Sequence, residues 1–197
     1  CCKTGAERNC NSAVSGNKIN GVFKIGPQGG GTLPFAVYCD MTSKNEVGVT
    51  VIGHNSESRT KVNGYEQRGS YRKDITYDVT IEQIVAVINE SSYCEQFIKY
   101  ECHGSLMSDA WWVSRQGKRM NYWGGAAVDS GKCACGMNNS CVGGKRCNCD
   151  FNDQNLREDS GFLTDKNTLP VKQLRFGDTG SSNEYGFHTL GKLLCWG

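Results

Sequence analysis

Apolar residues recur along the chain in bursts of four to six, each closed by glycine or polar residues, a pattern that predicts short strands. Phe35-Ala36-Val37-Tyr38-Cys39 and Gly48-Val49-Thr50-Val51-Ile52-Gly53 carry the β-branched and aromatic content of strands. Gln96-Phe97-Ile98-Lys99-Tyr100 sets Phe97 and Lys99 on one face and Ile98 on the other, and Val171-Lys172-Gln173-Leu174-Arg175-Phe176 spaces several apolar residues with polar ones. One segment changes period. Thr80-Ile81-Glu82-Gln83 has the form of a capping box, and Ile81, Ile84, Val85 and Ile88 follow at helical spacing, predicting a helix with one apolar stripe against a core. Glycine clusters at 29–31, 124–125 and 143–144 punctuate the chain, and with 25 glycines against three prolines turns prevail over long helices. The expected class is α+β: short mixed strands around one principal helix, rich in disulfides. No internal repeat, heptad run or Gly-X-Y tract is visible.

Twelve cysteines in 197 residues change the picture from a generic fold to a compartment, because disulfides persist outside the cell and are rare in reducing compartments. The chain is expected to be extracellular, either secreted or part of the ectodomain of a larger protein. It has no run of roughly 18 apolar residues to span a bilayer, and it opens on CCKTGAERNC without the pattern of a signal peptide, as a mature or trimmed ectodomain would. Two N-x-S sequons, at Asn89 and Asn138, fit glycosylated surface sites. Basic and acidic side chains, 22 and 20, are mixed along the chain, which excludes a nucleic-acid footprint. The densest basic stretch, 115–119, is short and interrupted and reads as a solvated loop.

Five cysteines lie between Lys132 and Asp150, at Cys133, Cys135, Cys141, Cys147 and Cys149. Zinc sites need four ligands, usually as C-x₂₋₄-C knuckles, and the two C-x-C pairs are too close for that. A redox catalyst needs C-x-x-C, which is absent. Covalent staples remain. Neighbours in C-x-C project to opposite sides of an extended strand, so each member suits a different partner. One arrangement cross-links the two C-x-C pairs and leaves Cys141 for a distant cysteine such as Cys195, but the six cysteines from Cys133 to Cys195 allow fifteen pairings.

Catalysis has little support, and the chain reads as a non-enzyme. His54, His103 and His188 sit in no hydrolase signature, and G-x-S-x-G, H-E-x-x-H and P-loop sequences are missing. No cofactor is expected. Calcium is the one ion with a weak case: Asp150, Asp153 and Asp159 offer hard oxygens within ten residues, without the EF-hand pattern, and a solvated acidic loop is the commoner outcome. A recognition patch is the remaining candidate. Trp111-Trp112 and Tyr122-Trp123 lie close together with Arg115, Lys118 and Arg119 between them; Trp, Tyr and Arg dominate binding hot spots when exposed, and such aromatics simply fill a core when buried. Adjacent tryptophans on a strand place one side chain in and one out.

Near the N-terminus, Cys10 followed by Gly21-Val22-Phe23-Lys24-Ile25 and Phe35-Ala36-Val37-Tyr38-Cys39-Asp40-Met41 resembles the opening of fibrinogen-related domains. Further on the resemblance narrows to the fibrinogen-like region of the contactin-associated protein (Caspr, neurexin IV-like) family. It is carried by Gly64-Tyr65-Glu66, Cys94-Glu95-Gln96 with Tyr100-Glu101-Cys102-His103, Trp112-Val113-Ser114-Arg115, Tyr122-Trp123-Gly124-Gly125, the C-x-C cluster, Asp159-Ser160-Gly161-Phe162-Leu163, Leu169-Pro170-Val171 and Leu194-Cys195. The resemblance implies a fibrinogen C-terminal-like fold, a Cys10–Cys39 disulfide and a single truncated domain over residues 10–197, preceded by an extension over 1–9 with vicinal cysteines. It implies an adhesion module making contacts with extracellular or cell-surface proteins. Two departures stand out. The tryptophan expected after the Cys-Asp-Met stretch is replaced within Gly48-Val49-Thr50-Val51, and the D-x-D calcium loop of longer fibrinogen domains has no counterpart, which argues against calcium-dependent lectin activity of the ficolin sort.

Cys1 and Cys2 fall outside the matched region. With Cys10, Cys39, Cys94, Cys102, Cys133, Cys135, Cys141, Cys147, Cys149 and Cys195 paired internally, this vicinal pair is left to link chains or to bond partners upstream. Three functions compete: an adhesion and recognition module for proteins, a structural matrix or oligomerisation head linked through Cys1 and Cys2 as a disulfide-bonded homo-oligomer, and a carbohydrate-binding module that takes glycans on its tryptophans. None involves nucleic acid or membrane insertion.

Overall fold

The computed structural model describes residues 6–13, 18–27 and 33–197, so Cys1 and Cys2 lie outside the described residues. Its elements are short helix α1 (Cys10–Ala13), strands β1 (Gly21–Ile25), β2 (Phe35–Asp40), β3 (Val49–Ile52), β4 (Thr60–Val62) and β5 (Tyr71–Asp74), helix α2 (Ile81–Asn89), and then β6 (Tyr93–His103), β7 (Trp111–Val113), β8 (Leu156–Leu163), β9 (Gln173–Phe176) and β10 (Tyr185–Trp196). The architecture is mainly β. Among the described residues the helical part of the expected α+β class amounts to α2, α1 and scattered 3-10 turns.

The chain divides into two compact units: residues 1–54, 77–95 and 192–197 form one, and residues 55–76 and 96–191 the other. In the first, β1, β2 and β3 form an antiparallel meander, and the C-terminal end of β10 pairs with β3 through Leu193 opposite Ile52 and Cys195 opposite Thr50. Alternation puts Phe35, Val37 and Cys39 of β2 inside and Ala36 and Tyr38 outside. Two disulfides, Cys10–Cys39 and Cys94–Cys195, staple this unit. The first is the bond that the resemblance implied.

Helix α2 starts where the sequence predicts. The Thr80 hydroxyl accepts the Gln83 N–H and the Gln83 amide oxygen accepts the Thr80 N–H, which satisfies two of the donors that every helix start leaves open. Its buried face differs from the expected stripe. Ile84, Ala86, Val87 and Ile88 are buried, whereas Ile81 is exposed and Val85 only half-buried. The reason is angular: from Ile84 the core is met again at three and four residues, Val87 and Ile88, and small Ala86 completes the face, so the first turn projects beyond it.

In the second unit, β6 pairs with β8 from Gln96 to His103, β4 pairs with β10 at Gly186 to His188, and β5, β9 and β7 form a separate three-stranded sheet in that order. Strand β6 runs well past the predicted 96–100 segment and alternates without a slip, burying Cys94, Gln96, Ile98, Tyr100 and Cys102. Strand β9 begins two residues later than the apolar run suggests, at Gln173. Strand β10, the longest, has no matching sequence expectation. It buries Gly186, His188 and Leu190, slips by one position at Gly191-Lys192, and resumes with Leu193 and Cys195. Gly186 and His188 on the inner face, and Gly191 at the slip, hide its hydrophobic alternation. The three-stranded sheet is two-sided: Trp112, Leu174 and Phe176 are fully buried, while Arg72 is exposed and Trp111 and Arg175 are half-buried on the opposite face. Phe176 lies at the centre of an aromatic cluster, stacked on Tyr100 at 4.2 Å and parallel to His188 at 5.6 Å.

Candidate functional site

The C-x-C segment is a covalent knot, with a connectivity different from the expected one. Cys133 bonds Cys147, so one link does join the two C-x-C pairs, but Cys135 bonds Cys141, and Cys149 leaves the cluster for Cys102 on β6. Cys141 does not reach Cys195, whose partner is Cys94. The six cysteines from Cys133 to Cys195 are not a closed set, since Cys149 and Cys195 pair with Cys102 and Cys94. Each C-x-C does divide its members between different partners, though not on a strand: Cys133 and Cys147 are the extended residues that lead into 3-10 turns, and Cys135 and Cys149 lie inside those turns.

Between the bridges the backbone makes three 3-10 turns, Ala134–Met137, Val142–Gly144 and Asn148–Phe151, too short to bury much apolar surface. Asp159 supplies the polar anchor. From β8 it is buried, and its two carboxylate oxygens accept the N–H groups of Asn148 and Cys149, each at 2.9 Å. Burial pushes its carboxyl upward and those two backbone donors pull it back. Asn148 passes the order on, accepting the Val142 N–H and donating to the Glu158 carbonyl.

This arrangement disposes of the calcium trio. Asp159 is spent on backbone, Asp150 accepts the Ser108 N–H, and Asp153 is clamped by Arg157 through bonds of 2.9 and 2.7 Å that hold its carboxyl well below the usual range. Their oxygens face three different sets of partners and do not converge as a calcium shell requires. Glu158 and Asp159 belong to strand β8, not to the solvated loop that the acidic run suggested. The described residues hold two other groupings of metal-ligand type. Cys133, Cys147 and Asp159 form one, but its sulfurs are disulfide-bonded; Glu66, Asp178 and Glu184 form the other, with carboxylate oxygens within 4.8 Å of one another. Burial, with Glu184 and Glu66 beside it, pushes the Asp178 carboxyl up to about 6. More than a hundred residues separate Glu66 from the other two, so no spacing in the sequence signals this cluster.

Of the five recognition candidates, three are core. Trp112 is fully buried and donates its indole N–H to the Tyr122 carbonyl at 2.8 Å; Trp123 is buried and donates to the Asp159 carbonyl at 3.0 Å; Tyr122 packs edge-on against Trp112, and its burial raises its phenol. Arg115 is a clamp. Its guanidinium donates to the carbonyls of Leu169 and Asn167, tying down the 165–170 turn with its cis Leu169–Pro170 bond. Trp111 alone of the four aromatics is not buried. It lies over Gly69, whose backbone has φ +62° and where any Cβ would overlap the indole ring, so glycine is required twice over. The Arg119 guanidinium sits 3.8 Å from the ring centroid and that of Arg175 5.1 Å. Beside Trp111 opens a depression of about 240 Å³, bounded by Arg119, Asn121, Lys132, Arg146 and Asp150 and floored by the Cys133–Cys147 bridge. Arg119 is one of the basic residues that the sequence sets between the two aromatic pairs, whereas nothing in the sequence singles out Arg146.

The sequons are both surface features. Asn89 is exposed near the end of α2, with Ser91 bonded to the Val87 carbonyl, and Asn138 is exposed, its amide oxygen accepting the Ser140 hydroxyl at 2.5 Å.

A mainly β, disulfide-stapled chain whose surface chemistry is an aromatic ring bracketed by guanidinium groups fits a recognition module better than a catalytic one. The comparisons with known proteins carry this further. The chain is 38% identical over 184 residues, 86% of its length, to neurexin-4 of Drosophila melanogaster, and 33% identical over 201 residues, 97% of its length, to contactin-associated protein 1 of Mus musculus and of Homo sapiens. These are its homologues, and the resemblance to the Caspr and neurexin IV-like fibrinogen-related region holds across most of the chain. The chain spans 14% of the length of each relative. No protein-family profile matches it. Among the described residues no helix is long and apolar enough to cross a membrane.

Proposed function

We propose that this chain is a non-enzymatic extracellular adhesion module that binds cell-surface proteins through the Trp111 surface. The observation that carries the reading is the placement of Trp111 and Arg119 on a scaffold whose neighbouring aromatics are locked inside, since rigid aromatic and arginine anchors are what protein interfaces use. The homologues support an ectodomain setting. The name of contactin-associated protein 1 says that it associates with contactin, which makes a contactin-type ectodomain the first partner to test. The test is surface binding of the purified chain to that ectodomain, with Trp111→Ala alongside. Binding by the parent chain and a loss of roughly tenfold or more in the variant is expected; equal binding by both removes Trp111 from the reading.

We further propose that residues 10–197 are one truncated fibrinogen-like domain with 1–9 as an extension, because the resembling segments run in order from Cys10 to Cys195. A single calorimetric transition is expected, and two resolved transitions would overturn it. Glycans at Asn89 and Asn138 are part of the same reading, whereas chain linkage through Cys1 and Cys2 belongs to the competing reading of a structural head. Mass spectrometry after deglycosylation and a non-reducing gel read them directly.

A further inference from the structure

The solvent face of the β5-β9-β7 sheet collects cations that the protein does not neutralise. In the ladder Arg72 stands directly opposite Arg175, and Arg175 directly opposite Trp111, so two guanidinium groups and an indole form one row across three strands. Neighbouring strands lie roughly 4.8 Å apart, and like charges placed directly opposite destabilise a sheet. Arg119 closes on Trp111, and Lys172 flanks the same shallow depression of about 380 Å³. Arg72, Arg119 and Lys172 are exposed and have no carboxylate partner among the described residues. Asp74, the acid whose charge acts on Arg175, accepts the Gln173 amide N–H. Arg175 is fixed by donating to the Gly69 carbonyl at 2.6 Å; burial first, and then Arg72 and Arg119, push its guanidinium downward, so the cations feel one another.

We infer that this row is a binding site for a sulfated polysaccharide. Guanidinium groups pair with oxyanions through two parallel hydrogen bonds, and a line of cations on a flat strand face matches a linear polymer that repeats its anions. Trp111 ends the row, and its half-buried indole adds apolar contact beside the cations for a sugar ring. An acidic protein segment would meet the same charge, but the depression has little apolar depth to seat a side-chain anchor. The disulfides place the chain where sulfated polysaccharides, not nucleic acids, are the abundant polyanions. The site shares Trp111 and Arg119 with the protein-binding surface but does not rest on that reading.

The experiment is retention on immobilised heparin, with affinity measured at 0.15 M salt and roughly double that. The parent chain is expected to bind and to weaken steeply with salt. Arg72→Gln/Arg119→Gln/Lys172→Gln should bind roughly tenfold or more weakly. A charge-matched control, Arg8→Gln/Lys24→Gln/Lys61→Gln, should stay within about twofold of the parent if location and not net charge governs binding. Desulfated heparin should fail to bind, and unchanged melting curves exclude unfolding of the variants. Equal losses in both triple variants, retention of desulfated heparin, or displacement by polyglutamate as efficient as by heparin would each overturn the proposal. It fails or survives independently of any result with a contactin-type ectodomain.

Discussion

The β1 to β3 meander and the 133–159 knot solve the same problem by opposite means. The meander orders its chain through alternation, with Phe35, Val37, Val49 and Ile52 taken out of water and β-ladder bonds satisfying the backbone. The knot has almost no ladder and little apolar burial of its own, and it orders a glycine-rich segment through three disulfides and one buried carboxylate. Regular structure is thus one of two routes to a rigid scaffold. Where the surface must carry loops, cross-links replace it.

The sharpest test of this contrast is to cut the links. In the chain-entropy picture the Cys102–Cys149 bond, spanning 47 residues, is worth about 4 kcal/mol and the Cys135–Cys141 bond, spanning six, about 2 kcal/mol. Paired serine replacements at each bridge, compared by urea midpoint, should keep that order. Equal costs would mean that the knot is held by packing after all. Asp159→Ala should destabilise by about 3 kcal/mol, because two buried N–H groups lose their acceptor. Its counterpart in the helix, Ile84→Ala, should cost a similar 2–5 kcal/mol through a cavity. Hydrogen exchange separates the two: the first should expose amides in 141–151 and the second should spare them.

Acid sharpens the contrast from another side. Burial pushes the His188 imidazole, bonded to the Tyr71 hydroxyl at 2.8 Å, down to about 4. The unfolded chain therefore takes up a proton below about 6.5 that the folded one refuses until about 4, and stability falls by about 3 kcal/mol as pH drops through that window. Asp178, raised to about 6, acts with the opposite sign, since the folded state holds its proton longer and loses stability as pH rises from about 4 to 6. Asp178→Asn should therefore steepen the acid loss, read as melting temperature against pH; an unchanged slope would disprove the opposing contribution of Asp178. The smallest effects belong to the start of α2. Thr80→Ala should cost about 1 kcal/mol as the capping box opens, and Ile81→Ala, on an exposed side chain, under about 0.5.

Legibility in the sequence followed the same divide. Strands β2 and β3 and the cap of α2 could be read because local chemistry sets them: β-branched alternation and a hydroxyl three residues before an amide. Strand β10 could not, because its inner face is filled by Gly186 and His188 as well as leucines. The pairing of the knot was out of reach for another reason. Cys102 and Cys149 meet only after β6 and β8 have paired, and no spacing encodes a contact created by tertiary structure. Trp111 and Trp112 illustrate both cases, since alternation foretold one in and one out, but only the fold says that the outer one rests on Gly69 between two arginines.

That arrangement makes Trp111 an optical reporter. Of the four tryptophans, Trp112 and Trp123 are sealed in the interior, while Trp111 and Trp196 are half-buried, Trp196 under the Lys44 ammonium at 3.9 Å. Emission from the sealed pair is shielded from dissolved quenchers, and that from the other two is not. A Trp196→Phe background leaves Trp111 as the accessible emitter, so that any ligand covering the arginine row can be followed by its own light, without a label.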